Sequence, residues 1–373
     1  MPRAVLRARS SCRECLTDLD RTEGPPYPRG FEFPARLVAR ALVSVGGGDS
    51  YRHAAALVRS AHRIKRGRTE VRATYGANGT LVADWLEVFA PPIWAALGQA
   101  AWPTVIAVDE LPFAGASPAT GAWPQRGKVK GGVDLFSVLG AQGYPSRDQG
   151  RPWFFQPYPS ATNDAWQSFF RALDGRPDVI IGDAAAAWQL AARRAWPDDP
   201  PEMLVSEFHL SRVIEAHLVR LGIPILDPLW QIAREAFRDP GHWLDLMAAL
   251  TASGDTRCER FARKYGERIE RQITNHPHGA GTADVPLSTG ALELVFRREL
   301  SRRLGDRRGL FTNRQRLARL ILLMTLDMTD LADERQWAKI IRDYLLVRGG
   351  QPPRARAIVD QTGVSSLLIR GRR

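Results

Sequence analysis

Three acidic residues stand where this chain could do chemistry: Asp109, Asp183 and Glu293, the second 74 positions after the first and the third 110 positions further on. Asp109 follows Thr104-Val105-Ile106-Ala107-Val108, a continuous and largely β-branched run of the kind buried on both faces of a sheet, and the strand is expected to stop there. Asp183 follows a second run of the same kind, Asp178-Val179-Ile180-Ile181-Gly182. The ends of such strands are where α/β sheets keep their chemistry. Glu293 lies about one turn into a helix that opens at a Ser/Thr cap, four residues before Arg297. Carboxylates on neighbouring strands and a facing helix suit two divalent, oxygen-seeking ions ~3.5 to 4 Å apart, the arrangement used for phosphodiester transfer. That chemistry needs no histidine base, and the sequence offers no persuasive Ser/His or Cys/His set. Singly, an Asp after a strand is more often a turn or N-cap residue, so it is the trio that carries the reading. Glu110 rivals Asp109 but should face the other side of the sheet, and Glu299 rivals Glu293 from a different part of the helix wheel.

The elements that would position this trio follow from punctuation and periodicity. Gly131 to Gly143 and Pro152 to Pro157 read as strands, Asn163 to Leu173 as a helix, and Met203 to Ser206 as a strand leading into a helix that ends near Leu221. With the two acid-ended strands, the order is strand, strand, strand, helix, strand, helix, strand, helix, which is that of a ribonuclease H-like α/β layer. Helical patterns from Leu229 to Ile273 fill the gap before Glu293 and read as an insertion. Upstream, Phe33 to Val45 reads as a helix stopped by Gly46-Gly47-Gly48. A second helix follows, capped by Asp49 or Ser50, with Tyr51, Ala54, Ala55, Leu57 and Val58 on its apolar face and Arg52, Arg59, Arg63, Lys65, Arg66 and Arg68 on the rest. That is the pattern of a helix-turn-helix module. A further helical pattern, Gly79 to Ala100, ends at Pro91-Pro92 and resumes at Ile93.

The expected organisation is therefore an N-terminal segment with a partial Cys motif (1–30), an all-α helix-turn-helix-like DNA-binding region (31–100), the first part of an α/β catalytic domain (101–222), a helical insertion (223–285), the Glu helix with C-terminal helices (286–347) and a basic tail (348–373).

Charge and composition narrow the partners. The chain carries 52 Lys and Arg against 40 Asp and Glu, a net charge of +12, so polyanions are its natural company. Residues 1–68 hold 14 basic and 6 acidic side chains, and 297–319 hold 9 Arg against Glu299 and Asp306. These two concentrations argue for phosphate contact by the N-terminal set named above and by Arg297, Arg298, Arg302 and Arg303 beside Glu293. Cys12 and Cys15 form half of a zinc motif without a second pair nearby, and with Cys258 they are too few for a disulfide framework, which favours a reducing compartment. Leu320 to Leu326 is the longest strongly apolar run, far short of the ~20 residues of a membrane span, and the expectation is a cytoplasmic, nucleoid-associated protein with no membrane partner. Trp188, Trp230 and Trp243 are more readily core than base-stacking platforms.

The stretches VIAVDELPF, PDVIIGDAAAAWQLAARRAWPD, VSEFHLSRV and LSTGALELVFRRELSRRLGDRRGLFTNRQRLARLILLM resemble, in order, those of bacterial insertion-sequence transposases of the Mutator-like class, with their Asp-Asp-Glu triad. The resemblance implies an enzyme that binds the terminal inverted repeats of its own insertion sequence, cleaves DNA with two Mg²⁺ or Mn²⁺ held by Asp109, Asp183 and Glu293, and joins the 3′ ends to target DNA. The implied partners are double-stranded DNA at the element ends and the target, and a second copy of the chain, with no small-molecule cofactor. Members carry Cys-x-x-His after the second Asp; here the stretch is Ser206-Glu207-Phe208-His209, leaving His209 alone as a match with a structural role. Two alternatives stand beside this one: a catalytically silent DNA-binding protein, decayed or regulatory, and a ribonuclease H-like nuclease that cuts without joining.

Overall fold

The computed structural model describes residues 35–58, 62–66, 69–73, 78–115, 124–126, 133–144, 150–276, 288–305 and 313–347. The Cys12/Cys15 pair, Arg59, Arg68 and the tail 348–373 lie outside the described residues.

The protein is a mixed α/β structure built on one central sheet. Its strands are β3 (Val105–Gly115), β5 (Val133–Tyr144), β6 (Arg151–Tyr158), β7 (Val179–Gly182) and β8 (Glu202–Val205), in spatial order β6-β5-β3-β7-β8, and a short β4 (Pro124–Arg126) adds to the far end of β3. β5 runs antiparallel to both of its neighbours, β3 and β6, while β7 pairs parallel with β3 and β8 parallel with β7. The parallel half needs crossovers, supplied by α4 (Asn163–Phe170) before β7 and α5 (Ala186–Ala195) before β8. β7 shows why these strands read so clearly in sequence: all four of its residues are buried, so both faces are apolar.

At the N-terminus, α1 (Ala35–Gly46) and α2 (Tyr51–Val58) sit where the sequence placed them, joined through Gly48 at φ 116°, a left-handed conformation that favours glycine. Those of the following basic residues that the structure describes are not helical. α2 ends at Val58, and β1 (His62–Arg66) pairs antiparallel with β2 (Thr69–Ala73), so Arg63, Lys65 and Arg66 lie on a strand. The alternation His62-Arg63-Ile64-Lys65 and the Gly67-Arg68 pair between the strands are hairpin signals that outweigh the helical count.

α3 (Gly79–Leu97) runs without a break through Pro91 and Pro92, correcting the expected stop. Tertiary burial overrides local propensity: Phe89, Ala90, Ile93 and Trp94 all face the core, and Arg316 Nε donates to Glu87 Oε1 at 2.7 Å just ahead of the prolines. By length and composition alone, α3 could cross a membrane, yet half of its apolar window is buried within the protein. α1, α2 and α3 share one apolar core with the sheet, α4, α12 (Arg314–Met328) and α13 (Glu334–Val347).

Beyond β8, α6 (Glu207–Arg220), α7 (Pro228–Glu235), α8 (Pro240–Ala252) and α9 (Thr256–Asn275) enclose a second core around Leu210, Ile214, Trp243, Leu246, Phe261 and Ile269. α7, α8 and α9 each open on an Asp whose carboxylate accepts from backbone N–H groups, Asp227, Asp239 and Asp255. α9 closes the sheet edge: the Gln272 amide donates to Val205 O and accepts from Val205 N, both at 2.9 Å. The last segment before the C-terminal helices is α10 (Gly290–Val295), a π-helical turn over Phe296–Leu300, and α11 (Ser301–Gly305).

Candidate active site

Asp109 lies within β3, not at its end, because β3 runs on to Gly115 paired with β5. The parallel pairing with β7 stops at Ala107 and Ile181, so Asp109 emerges where its neighbour has run out, and Asp183 follows directly on that neighbour's last residue. The position is still the carboxyl end of the parallel layer, as the sequence reading required, but the strand boundary was set too early.

Two glycines make the site buildable. Asp109 pairs with Gly140 on β5, and a Cβ there would come within 2.5 Å of the Phe155 ring and 2.7 Å of Phe296 Cζ. Phe296 packs edge-on against Phe155 at 5.8 Å, so bare backbone at Gly140 lets the helix carrying Glu293 settle on the face that bears Asp109. At Gly182 a Cβ would lie 2.6 Å from the Trp188 indole. Trp188 is buried and donates through Nε1 to Asp183 O at 3.0 Å and Asp183 Oδ1 at 3.1 Å, while the Ala185 N–H donates to Oδ1 at 3.0 Å. The indole thus holds the second carboxylate rather than a base, and Trp243 is likewise core, donating to Gly266 O at 2.8 Å.

The Glu helix is fixed at its start as well. Ser206 and Thr289 are fully buried; the Thr289 N–H donates to Ser206 Oγ at 3.0 Å, and the two hydroxyls are 3.0 Å apart. Ser206 also donates its N–H to Gly182 O at 2.7 Å, tying the end of β7, the start of α6 and the start of α10 together. Ser206 thereby clasps the start of the Glu helix.

Electrostatics register the convergence. Asp109 is pushed up to about 7, first by burial and then by the charges of Glu293, Asp183 and Glu110, against the hydrogen bond its carboxylate accepts from Glu110 N–H. His209 joins the group: its Nε2 is 3.9 Å from Asp109 Oδ2, buried and without a hydrogen-bond partner. Burial holds its pKa below the usual histidine value, aided by Arg212 and opposed by Asp183 and Glu293. Glu110 is exposed, whereas Asp109 retains 9% of its side-chain surface, so the two occupy different environments as strand alternation requires. Glu299 points away to Arg303 at 2.8 Å.

Each member of the trio is held by a local partner: Asp109 by Glu110 N–H, Asp183 by Trp188, and Glu293 by Arg297 Nε at 3.1 Å. Among the described residues no group of three or more His, Cys, Asp or Glu side chains is gathered in a geometry that could hold an ion. The donor types themselves suit hard cations, being three carboxylates, one of which, Asp109, is raised to about 7 chiefly by burial and further by the charges of Glu293 and Asp183.

The basic residues expected beside Glu293 divide. Arg297, Arg298 and Arg302 are exposed, whereas Arg303 is turned inward with 9% of its side chain exposed, donating to Gly46 O at 2.9 Å and Asp327 Oδ2 at 2.5 Å. Arg303 joins α11, α1 and α12 and is withdrawn from any surface a polyanion could reach, which corrects its assignment to DNA contact. No family model matches the chain, and no curated protein is significantly similar to it.

Proposed function

We propose that the protein is a DNA transposase of the Asp-Asp-Glu kind with a ribonuclease H-like catalytic layer, acting on double-stranded DNA. The observation that supports this reading is electrostatic: Glu293, from the facing helix, and Asp183, from the end of the neighbouring parallel strand, both add to the burial that raises the pKa of Asp109. The sheet order, with the second strand antiparallel and the fourth and fifth parallel to the first, supports the fold assignment. The exposed Arg297, Arg298 and Arg302 beside Glu293 suit a phosphate backbone, and α1 with α2 supports a helix-turn-helix contact through Arg52.

In this reading Asp109, Asp183 and Glu293 would hold two Mg²⁺ or Mn²⁺ ions, which when bound would supply Lewis acidity to the scissile phosphate and lower the pKa of the attacking water or hydroxyl. Asp109 must lose its proton for the site to load. Trp188 keeps the Asp183 carboxylate oriented, and the Ser206–Thr289 clasp with Phe296 keeps Glu293 over the sheet. Arg297 releases Glu293 and turns to the incoming phosphate. His209 stays neutral, because burial disfavours its cation. Joining requires two DNA ends at once, so the working form is a homodimer on DNA.

The test is Mg²⁺-dependent cleavage and strand joining on labelled DNA carrying the chain's own terminal repeat, comparing wild type with Asp109→Ala, Asp183→Ala and Glu293→Ala. Nicking and joining by wild type, both abolished by each substitution with DNA binding intact, is the expected result. Cleavage without joining makes the protein a nuclease, binding without cleavage makes it a silent binder, and cleavage that survives the substitutions places the site elsewhere.

A further inference from the structure

Away from the carboxylates, the outer side of α9 and the first half of β8 enclose an open cleft of about 610 Å³. Its walls carry Arg193 from α5 and Arg263, Lys264, Arg268 and Arg271 from α9, against Glu202 and Glu267. The α9 members are spaced at i, i+1, i+5 and i+8, a helix face opposite the buried Cys258, Phe261, Tyr265, Ile269 and Ile273. One of the two acids is already answered, since Glu202 Oε1 is 3.0 Å from His276 Nε2. Among the described residues, no acidic group forms an ion pair with Arg193, Arg263, Arg268 or Arg271. Arg268 is half-buried and reaches Met203 O at 3.3 Å; burial and the facing Arg193 charge both lower its pKa. Five cations thus line one concave wall against two carboxylates, neither of them in an ion pair with the four arginines, and the excess positive charge is stabilised by an anion from outside.

We propose that this cleft is a second nucleic-acid contact, gripping the phosphate backbone of the DNA that leads to the carboxylate site. Shape favours a strand over a lone phosphate ion: Arg263 to Arg271 spans about 12 Å along the helix, a row of cations rather than a pocket around one point. β8 connects the cleft to the site: its first residues line the cleft, and its other end, about 10 Å along the strand, runs into Ser206 and His209. The assignment of the polyanion as DNA rests on the function proposed above, while the anion site rests on the cleft alone.

The experiment is a salt titration of DNA affinity by fluorescence anisotropy with full-length protein in chelator, so that no cleavage intervenes. Wild type is compared with R263A/R271A, with the charge reversal R263E/R271E, and with R234A/R238A, exposed positions on α7 and in the turn after it, as a control. Removing two backbone contacts should lower the slope of log K against log salt by roughly 1.5 to 2 and weaken binding about tenfold or more, with the reversal worse and the control unchanged. Equal far-ultraviolet circular dichroism and melting temperature across the set establish that folding is intact. An unchanged slope in the cleft variants overturns the proposal. So does competition in which inorganic phosphate or tripolyphosphate, at matched ionic strength, displaces DNA from wild type but not from R263A/R271A, for the cleft is then a small-phosphate site. A slope lost in R263A/R271A but kept in D109N, in a protein that never cleaves DNA, would uphold the cleft and refute the catalytic reading.

Discussion

Replacing Asp109 with Asn should make the metal-free protein more stable, and more so the higher the pH. Asn keeps the shape and the oxygen that accepts from Glu110 N–H, so the substitution removes little but charge. The carboxyl titrates near 3.8 in an unfolded chain and is raised to about 7 in the fold, chiefly by burial. Between those values the folded state binds the extra proton, so this residue's contribution to stability falls as pH rises and is fully lost above pH 7. At about 1.4 kcal/mol per unit, the ceiling on that loss is about 4 kcal/mol, reduced in practice by relaxation around the charge. Urea unfolding of wild type and Asp109→Asn in chelator, from pH 4.5 to 8.5, should show curves that nearly coincide at the acid end and diverge toward the alkaline end. Other titrating groups are common to both proteins and cancel in the difference. Mg²⁺ should then raise the wild-type midpoint and leave the variant unmoved, because a cation that binds only the folded state stabilises it by mass action. A variant equally stable at every pH, or less stable at pH 8, would refute the account of Asp109 as a charge strained by burial and by its neighbours.

Four further outcomes follow from the geometry. Gly140→Ala should displace Phe296 and with it Glu293, lowering cleavage at least a hundredfold and destabilising by about 1–3 kcal/mol, read by single-turnover cleavage and urea unfolding. Trp188→Phe keeps the ring packing but removes both indole hydrogen bonds to Asp183, so cleavage should fall while DNA affinity holds. Ser206→Ala leaves a buried Thr289 N–H without its acceptor and should cost about 1–3 kcal/mol by chemical denaturation. Arg303→Ala strips the charge shared by Asp327 and Glu299 and should cost about 3–5 kcal/mol, with no change in the salt slope of DNA binding, in contrast to Arg297→Ala and Arg298→Ala.

What could be read from sequence was what repeats locally. β7 and the first part of β3 are legible as unbroken apolar runs because both faces are covered, and α7 to α9 only as an undivided helical pattern from Leu229 to Ile273, their Asp caps not being singled out. The boundary at Asp109 was misplaced because the apolar run ends where β7 ends, although β3 itself continues on pairing with β5 alone. The hairpin after α2 was overlooked since five-residue strands of alternating charge mimic a helix's polar face. The devices that aim the carboxylates were beyond local reading: Ser206 meets Thr289 across 83 positions, and Arg303 meets Gly46 across 257. Only Gly140 and Gly182 left a signal, each an isolated glycine in a strand pattern, where another group must approach the backbone.

The Gln272 amide has a consequence for solubility. A parallel layer ending in β8 would offer a free row of backbone donors and acceptors, a template on which another chain's strand could add. Gln272 occupies the outward N–H and C=O of Val205, and Arg268 covers the carbonyl of Met203. Two side chains from one helix thereby stand in for a missing strand and keep this sheet from joining another edge to edge.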